Sequence, residues 1–165
     1  MTEKTGTFLV TEADEGSAVL RDVDDGQVHT LSANPGVSEG DGSTEEAPLS
    51  AGEALEATVA PEPPMEVTWE LQAIERRWDV ELVDSDLQPT RRAVETADGQ
   101  PEGELTRIER AGSGEVHVLT VPDPATAAAD VLADEGTLER AARLGAVRVE
   151  VRRGDGMVSV RYLPD

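Results

Sequence analysis

The sequence contains no cysteine and few aromatic residues. Only 2% of its 165 residues are aromatic. The absence of cysteine excludes disulfide bonds, thiolate metal sites, iron–sulfur clusters and thiol nucleophiles. No apolar run approaches the roughly 18 residues that a membrane-spanning helix needs, and residues 1–11 lack the charged start and long apolar stretch of a secretory signal. These absences predict a cytoplasmic protein without a membrane segment.

Lysine is nearly absent too, and acidic residues dominate the charge. Lys4 is the only lysine among 14 basic residues, which stand against 35 Asp and Glu residues, so the formal net charge is −21. Such a charge pushes a compact chain apart in dilute buffer, but in molar salt the Debye length falls to about 3 Å and the repulsion is screened. The composition predicts a halophilic haloarchaeal protein whose carboxylates are an adaptation to salt. An acidic protein from a GC-rich bacterial genome is the alternative.

The first half of the chain has the pattern of short strands separated by turn residues. The strands are predicted at residues 7–10, 18–21, 27–31 and 55–60, with a long strand from residue 66 onward. Asp25-Gly26 between apolar runs indicates a hairpin, and the apolar parity of the long strand changes near residues 75–77, which predicts a bulge there. We expect residues 1–86 to form a small antiparallel β-barrel of the OB or SH3-like kind. Its acidic loop, at about residues 36–52, has almost nothing to bury and is expected to be disordered.

The second half, residues 87–165, is expected to form an α+β module with the order β-α-α-β-β, which makes the whole chain mixed α+β. Helices are predicted at residues 89–97, 104–111, 124–133 and from Thr137 to Gly145, and strands at 116–121, 147–152 and 158–162. Asp123 and Thr137 are the expected N-caps of the last two helices. A turn at Asp155-Gly156 sets Glu150 opposite Arg161 in the last hairpin. We expect the helices on one face of the sheet, and strands 116–121 and 147–152 to be parallel if they are neighbours.

The sequence offers few groups for catalysis. His29 and His117 lie on predicted strands, and a structural role is the favoured interpretation for both. No Gly-x-Ser-x-Gly elbow, phosphate-binding glycine loop or metal-ligand spacing is present. We therefore predict no catalytic residue, no cofactor and no metal. The alternative from another class is a hydrolase or transferase that uses His29 or His117 with neighbouring carboxylates.

Arginine and the rare aromatic residues are the remaining candidates for binding. Arg148, Arg152 and Arg161 are predicted to project from one face of the final hairpin, where they could contact phosphate or an acidic partner. Pairing with Glu150 is the alternative for all three. Trp69, Trp78 and Tyr162 have the parity of their apolar neighbours and are expected in the core.

These residues favour a non-catalytic binding or adaptor protein with an unidentified protein or RNA partner. Single-stranded RNA binding by the barrel is a further alternative, and it requires Trp69 or Phe8 to be exposed for base stacking.

Several stretches resemble a family of uncharacterised haloarchaeal proteins, and together they span nearly the whole chain. The stretches are residues 5–10, 18–23, 26–31, 55–64, 103–106 and 114–122. That family has no assigned activity, so the resemblance implies no site residue. The first five strands also look like a small OB or TRAM-like barrel, with glycine-initiated strands and a glycine-containing loop before the fourth. This second resemblance implies an architecture and not a function.

Overall fold

A computed structural model describes residues 3–33, 48–65, 67–110 and 114–164 of the chain. The chain divides into two compact units, Met1–Asp79 and Val80–Asp165. Most of the predicted disordered loop, residues 36–47, lies outside the described residues. The described helices include none that is long and apolar enough to cross a membrane.

The first unit is a closed five-stranded barrel, which confirms the predicted barrel. Its strands are β1 (Lys4–Ala13), β2 (Ala18–Asp22), β3 (Val28–Leu31), β4 (Glu53–Pro61) and β5 (Trp69–Asp79). They follow each other around the barrel in the order β1-β2-β3-β5-β4. The expectation of an entirely antiparallel barrel is wrong at one place, because β3 and β5 are parallel.

Turn and bulge residues of the barrel agree with the sequence. The β2–β3 turn closes at Gly26, whose φ of 76° favours glycine and whose N–H donates to the carbonyl of Asp22 at 2.8 Å. On β5, Arg76 pairs with Glu56 and Ile74 pairs with Ala57, so Glu75 is the extra residue of a bulge. The extra residue changes which face the following side chains occupy, so Arg77, and not Trp78, shares a face with Leu55 of the core.

The described end of the acidic loop is packed, which corrects the expectation that it buries almost nothing. Leu49 is only 3% exposed and belongs to the barrel core. Close by, the N–H of Gly52 donates to the carbonyl of Val10 at 2.8 Å. The segment is polar as a whole, but its one leucine, Leu49, packs in the barrel core.

The second unit is a five-stranded sheet with three helices. Its elements are β6 (Glu81–Ser85), α1 (Arg91–Asp98), β7 (Leu105–Glu109), β8 (Glu115–Thr120), α2 (Pro124–Ala133), α3 (Glu135–Leu144), β9 (Arg148–Gly154) and β10 (Met157–Leu163). The sheet order is β6-β9-β10-β8-β7. Residues 81–85 lie within the range predicted for the barrel, but as β6 they pair in parallel with β9. Strands β8 and β9 are not neighbours, because β10 lies between them.

The helix predicted at residues 104–111 is wrong. Residues Leu105–Glu109 form strand β7, which pairs regularly with β8 from Leu105 opposite Leu119 to Glu109 opposite Glu115. The spacing between Leu105 and Ile108 suggested a helical face. In the strand, Ile108 instead shares a face with Thr106 and only Ile108 is buried.

The helices cover both faces of the sheet, which corrects the expected single helical layer. Val158, Val160 and Tyr162 of β10 pack with Ala128 of α2 and Ala141 of α3. On the opposite face, Met157 of β10 packs with Val118, Ile108 and the α1 residues Ala93 and Ala97. Alternation along β10 gives each helical layer its own set of apolar side chains.

Helix ends and the last hairpin follow the local sequence closely. Asp123 accepts a hydrogen bond from the N–H of Thr126 at 3.2 Å and begins α2, as predicted. Gly145 ends α3 with a φ of 71°. The N-cap of α3 is Asp134, not Thr137 as expected. In the β9–β10 hairpin, the predicted pairing of Glu150 with Arg161 is confirmed.

Candidate functional site

The three predicted arginines lie on one face of the second unit's sheet. Arg148 and Arg152 flank Glu150 on β9, and Arg161 stands directly opposite Glu150 on β10. Since side chains alternate along a strand and directly paired residues share a face, all four point the same way. This is also the face that α1 covers.

Glu150 is the centre of this group. Its side chain is only 7% exposed, and its Oε1 accepts a hydrogen bond from Nε of Arg152. Nη2 of Arg148 lies 3.6 Å from Oε2, and Nε of Arg161 lies 3.5 Å from Oε1. Pairing with Glu150, the alternative considered for these arginines, is therefore present for all three. One buried carboxylate cannot neutralise three guanidinium groups.

Two of the arginines have further partners. Nη1 of Arg152 donates to the carbonyl of Gln88 at 3.2 Å, which ties the segment before α1 to the sheet. Nε of Arg148 lies 3.5 Å from the carboxylate of Glu81. These contacts hold Arg148 and Arg152 in place within the fold.

Arg161 borders a cavity of about 240 Å³ within the second unit. Two more arginines line the same cavity, Arg92 from α1 and Arg110 from the end of β7. Nη1 of Arg92 donates to the carbonyl of Glu109 at 3.4 Å, so this side chain reaches from α1 to the last residue of β7. Three arginines thus line one cavity in a chain whose net charge is −21.

The rest of the cavity lining is mixed. Ala93, Ile108 and Val116 line the cavity and belong to the buried cluster beneath α1, and the polar residues Thr90 and Glu109 line it as well. A cavity lined by both arginines and aliphatic side chains can hold an anionic group while excluding water from part of it.

Burial and neighbouring charge act on Arg161 together. Its side chain is 16% exposed. Burial lowers the pKa of this guanidinium, the positive charge of Arg152 lowers it further, and Glu150 opposes both effects, with Arg110 adding a smaller repulsion. Arginine remains protonated in proteins. The lowered pKa therefore indicates that Glu150 does not fully offset burial and the repulsion from Arg152. A bound anion would stabilise the charged guanidinium.

His29 lies inside the barrel core. Its ring centroid is 5.5 Å from that of Phe8 and 4.3 Å from that of Trp69, in edge-on geometry. Burial lowers its pKa, and Lys4 lowers it further. Neither ring nitrogen has a hydrogen-bond partner among the residues that the structure describes. A neutral imidazole packed between aromatic rings is in no position to act on a substrate.

His117 is buried in the second unit on the face away from α1. Its Nε2 lies 3.1 Å from Oε1 of Glu115, and its ring centroid lies 4.9 Å from that of Tyr162. Burial is the main cause of its lowered pKa, against the opposite effect of Glu115. Across the described parts of the chain, no group of His, Asp and Glu residues is arranged to hold a metal ion.

The aromatic residues of the barrel are buried or half-buried. Phe8 is completely buried, and Trp69 is half-buried against the barrel core. Trp78 was expected in the core, but it is half-buried with the guanidinium of Arg76 4.2 Å from its ring centroid. Tyr162 lies in the core of the second unit as expected.

The sequence analysis named Arg161 as a candidate but did not name Arg92 and Arg110, which line the same cavity. Arg110 belongs to the range 104–111 for which a helix was predicted. In the structure it directly follows β7, an edge strand of the sheet. Arg92 lies on a correctly expected helix, but nothing in a sequence shows which strand that helix covers.

A family model described as "Family of unknown function (DUF5812)" matches residues 4–153. Comparison with curated proteins and comparison with solved structures found no match.

Proposed function

Since the chain belongs to DUF5812, a family of unknown function, we propose from its geometry that it is a non-catalytic binding protein whose second unit holds an anionic group at Arg161. The observation that carries the proposal is the convergence of Arg92, Arg110 and Arg161 on one cavity. Guanidinium groups match carboxylate and phosphate oxygens in charge and geometry.

Arg148 and Arg152 act on this site through Glu150. Both share Glu150 with Arg161, so the negative charge that Glu150 offers to Arg161 is divided. Arg161 therefore retains positive charge toward the cavity. In this proposal Arg161 contacts the anionic group, and Arg148 and Arg152 hold the carboxylate of Glu150 in place.

The barrel is proposed as a scaffold of the OB type. The strand order β1-β2-β3-β5-β4 with a parallel β3–β5 pair supports this assignment. RNA binding by the barrel is less well supported, because Phe8 is buried and Trp69 contacts His29. The hydrolase alternative has no supporting geometry in the described residues, since His29 and His117 are buried among aromatic rings. The carboxylate-rich composition supports a halophilic, cytoplasmic protein.

The test is a titration of the full-length protein in molar KCl with inorganic phosphate and with a short carboxylate, followed by NMR. We expect the amide signals of Ile108, Arg110 and Val116 to shift with either anion. Arg161→Gln should weaken the response about tenfold or more, since one charge-assisted interaction is lost.

Arg153→Gln is the matched control. Arg153 lies on the opposite face of β9 and pairs with Asp84 at 3.4 Å, so this variant should bind as the wild type does. The proposal is wrong if neither anion moves the three amide signals, or if Arg161→Gln and Arg153→Gln respond alike.

A further inference from the structure

We infer that the cavity at Arg161 takes a small organic acid, with one carboxylate against the arginines and a short aliphatic body against Ile108 and Val116. This inference rests on the proposed function, and it adds the chemical class of the ligand. Its basis is that arginines form one part of the cavity lining and buried aliphatic side chains form another.

The apolar side argues against a bare inorganic anion. Ala93, Ile108 and Val116 are all buried and belong to one packed cluster. Phosphate or sulfate would satisfy the guanidinium groups but would make no apolar contact with this aliphatic wall. A ligand with methylene groups covers the wall, and each fully buried methylene contributes about fourfold in affinity.

The charge of the site favours a single carboxylate. Arg92, Arg110 and Arg161 line the cavity. Glu109 lines it too, and Glu150 faces Arg161 from the sheet. Because Glu150 is shared with Arg148 and Arg152, it offsets only part of the charge of Arg161. A second negative charge on the ligand would be repelled by the carboxylate of Glu109, so a ligand with one carboxylate suits the cavity better than one with two.

The size of the cavity limits the aliphatic body. Its volume of about 240 Å³ lies below the range of roughly 300–1,000 Å³ that is typical of drug-sized ligands. A nucleotide or an extended peptide is too large to be enclosed. A linear or branched carboxylate of a few carbon atoms fits the volume, with its carboxylate at Arg161 and its chain toward β7 and β8.

The experiment is a binding series with acetate, butanoate, hexanoate and inorganic phosphate on the full-length protein in molar KCl. We expect affinity to rise about fourfold for each methylene that the cavity can bury, and phosphate to bind no more tightly than acetate. Arg161→Gln should weaken every carboxylate by a similar factor, because the carboxylate contact is common to the series.

Val116→Thr tests the apolar wall with nearly unchanged side-chain volume. It should reduce the dependence on chain length while leaving the affinity for acetate within about twofold of the wild type, and Arg153→Gln should change neither. Amide spectra of each variant establish that it is folded.

The outcomes separate this inference from the proposed function. If phosphate binds in an Arg161-dependent manner and affinity does not rise with chain length, the organic-acid inference is overturned and the anion site stands. If no anion in the series binds, both are overturned. A rise with chain length that Val116→Thr leaves intact also overturns the assignment of the apolar wall.

Discussion

Arg161 and Glu150 are directly paired across the β9–β10 hairpin, with Nε of Arg161 3.5 Å from Oε1 of Glu150. The pair lies on the face of the sheet that α1 covers, where Arg148 and Arg152 share the same carboxylate. Glu150 therefore has two roles. It compensates buried positive charge within the fold, and it orients Arg161 beside the cavity.

Replacement of Glu150 by Gln should destabilise the protein strongly. The substitution keeps the shape of the side chain but leaves Arg148, Arg152 and Arg161 near one another without a carboxylate. Loss of one member of a buried ion pair costs about 3 kcal/mol or more. We expect a reduction of this size in the free energy of unfolding, measured by chemical denaturation. Added phosphate should restore part of the loss, because an anion can replace the missing charge.

Glu81→Gln is the control for Glu150→Gln. Glu81 also pairs with Arg148, but its side chain is 67% exposed. Exposed ion pairs contribute about 0–1 kcal/mol. Equal losses of stability in the two variants would contradict the central role of Glu150.

His29 should make the stability of the protein depend on pH. Its pKa in the folded state is lowered from 6.5, mainly by burial and then by Lys4, while Asp22 and Asp25 oppose the shift. The unfolded chain therefore binds more protons, and stability rises with pH in the range where unfolded His29 titrates. The contribution of neutral His29 to the free energy of unfolding should be present above pH 6.5. Below that pH it should be lost at a rate of at most about 1.4 kcal/mol per pH unit.

The check is denaturant unfolding of wild type and His29→Leu on both sides of pH 6.5. The variant should have a shallower decline toward acid, because the imidazole that must be protonated is gone. His117 contributes in the same direction, since burial also lowers its pKa, so the double variant with His117→Gln should be shallower still. Identical pH profiles for wild type and His29→Leu would contradict the burial of a neutral His29.

Leu49 should contribute to the stability of the barrel although it follows the acidic segment. Its side chain is 3% exposed, and replacing a buried leucine by alanine costs about 2–5 kcal/mol. We expect Leu49→Ala to lower the free energy of unfolding by an amount in this range. Val28→Ala is the comparison, because Val28 is 54% exposed and should lose less than about 0.5 kcal/mol. A small effect at Leu49 would show that the segment does not pack on the core.

Much of the local structure could be predicted from the sequence. Asp25-Gly26 and Asp155-Gly156 identified their hairpins because these turns need residues that tolerate positive φ. Asp123 and Gly145 identified helix ends for equally local reasons. The bulge at Glu75 followed from the alternation of apolar residues along one strand.

The arrangement of the elements could not be predicted in the same way. The insertion of β10 between β8 and β9 joins strands distant in sequence, and local patterns do not record which strands pair. For the same reason, only one of the three arginines of the candidate site could be named from the sequence. Arg161 was identified from the hairpin register, whereas Arg92 and Arg110 reach the cavity only through the packing of α1 and the pairing of β7.

Gly114 and Gly103 offer a test of backbone packing around the second unit's sheet. Both have a φ of 90°, which L-residues other than glycine adopt at a cost of about 1–2 kcal/mol. A Cβ at Gly114 would lie 2.3 Å from the carbonyl oxygen of Tyr162, whereas a Cβ at Gly103 would meet no atom within 4 Å. Gly103→Ala should therefore lose only the conformational cost, and Gly114→Ala should lose about 3 kcal/mol or more because backbone must also move.

Thermal and chemical unfolding of the two variants measure the difference directly. Since φ is the same at both positions, the conformational cost cancels in the comparison and the remainder reports the contact with β10. That contact fixes the position of the strand that carries Arg161, so Gly114→Ala should also shift the amide signals of Arg161 and Tyr162. Equal stability of the two variants would mean that the chain at Gly114 does not approach Tyr162 this closely.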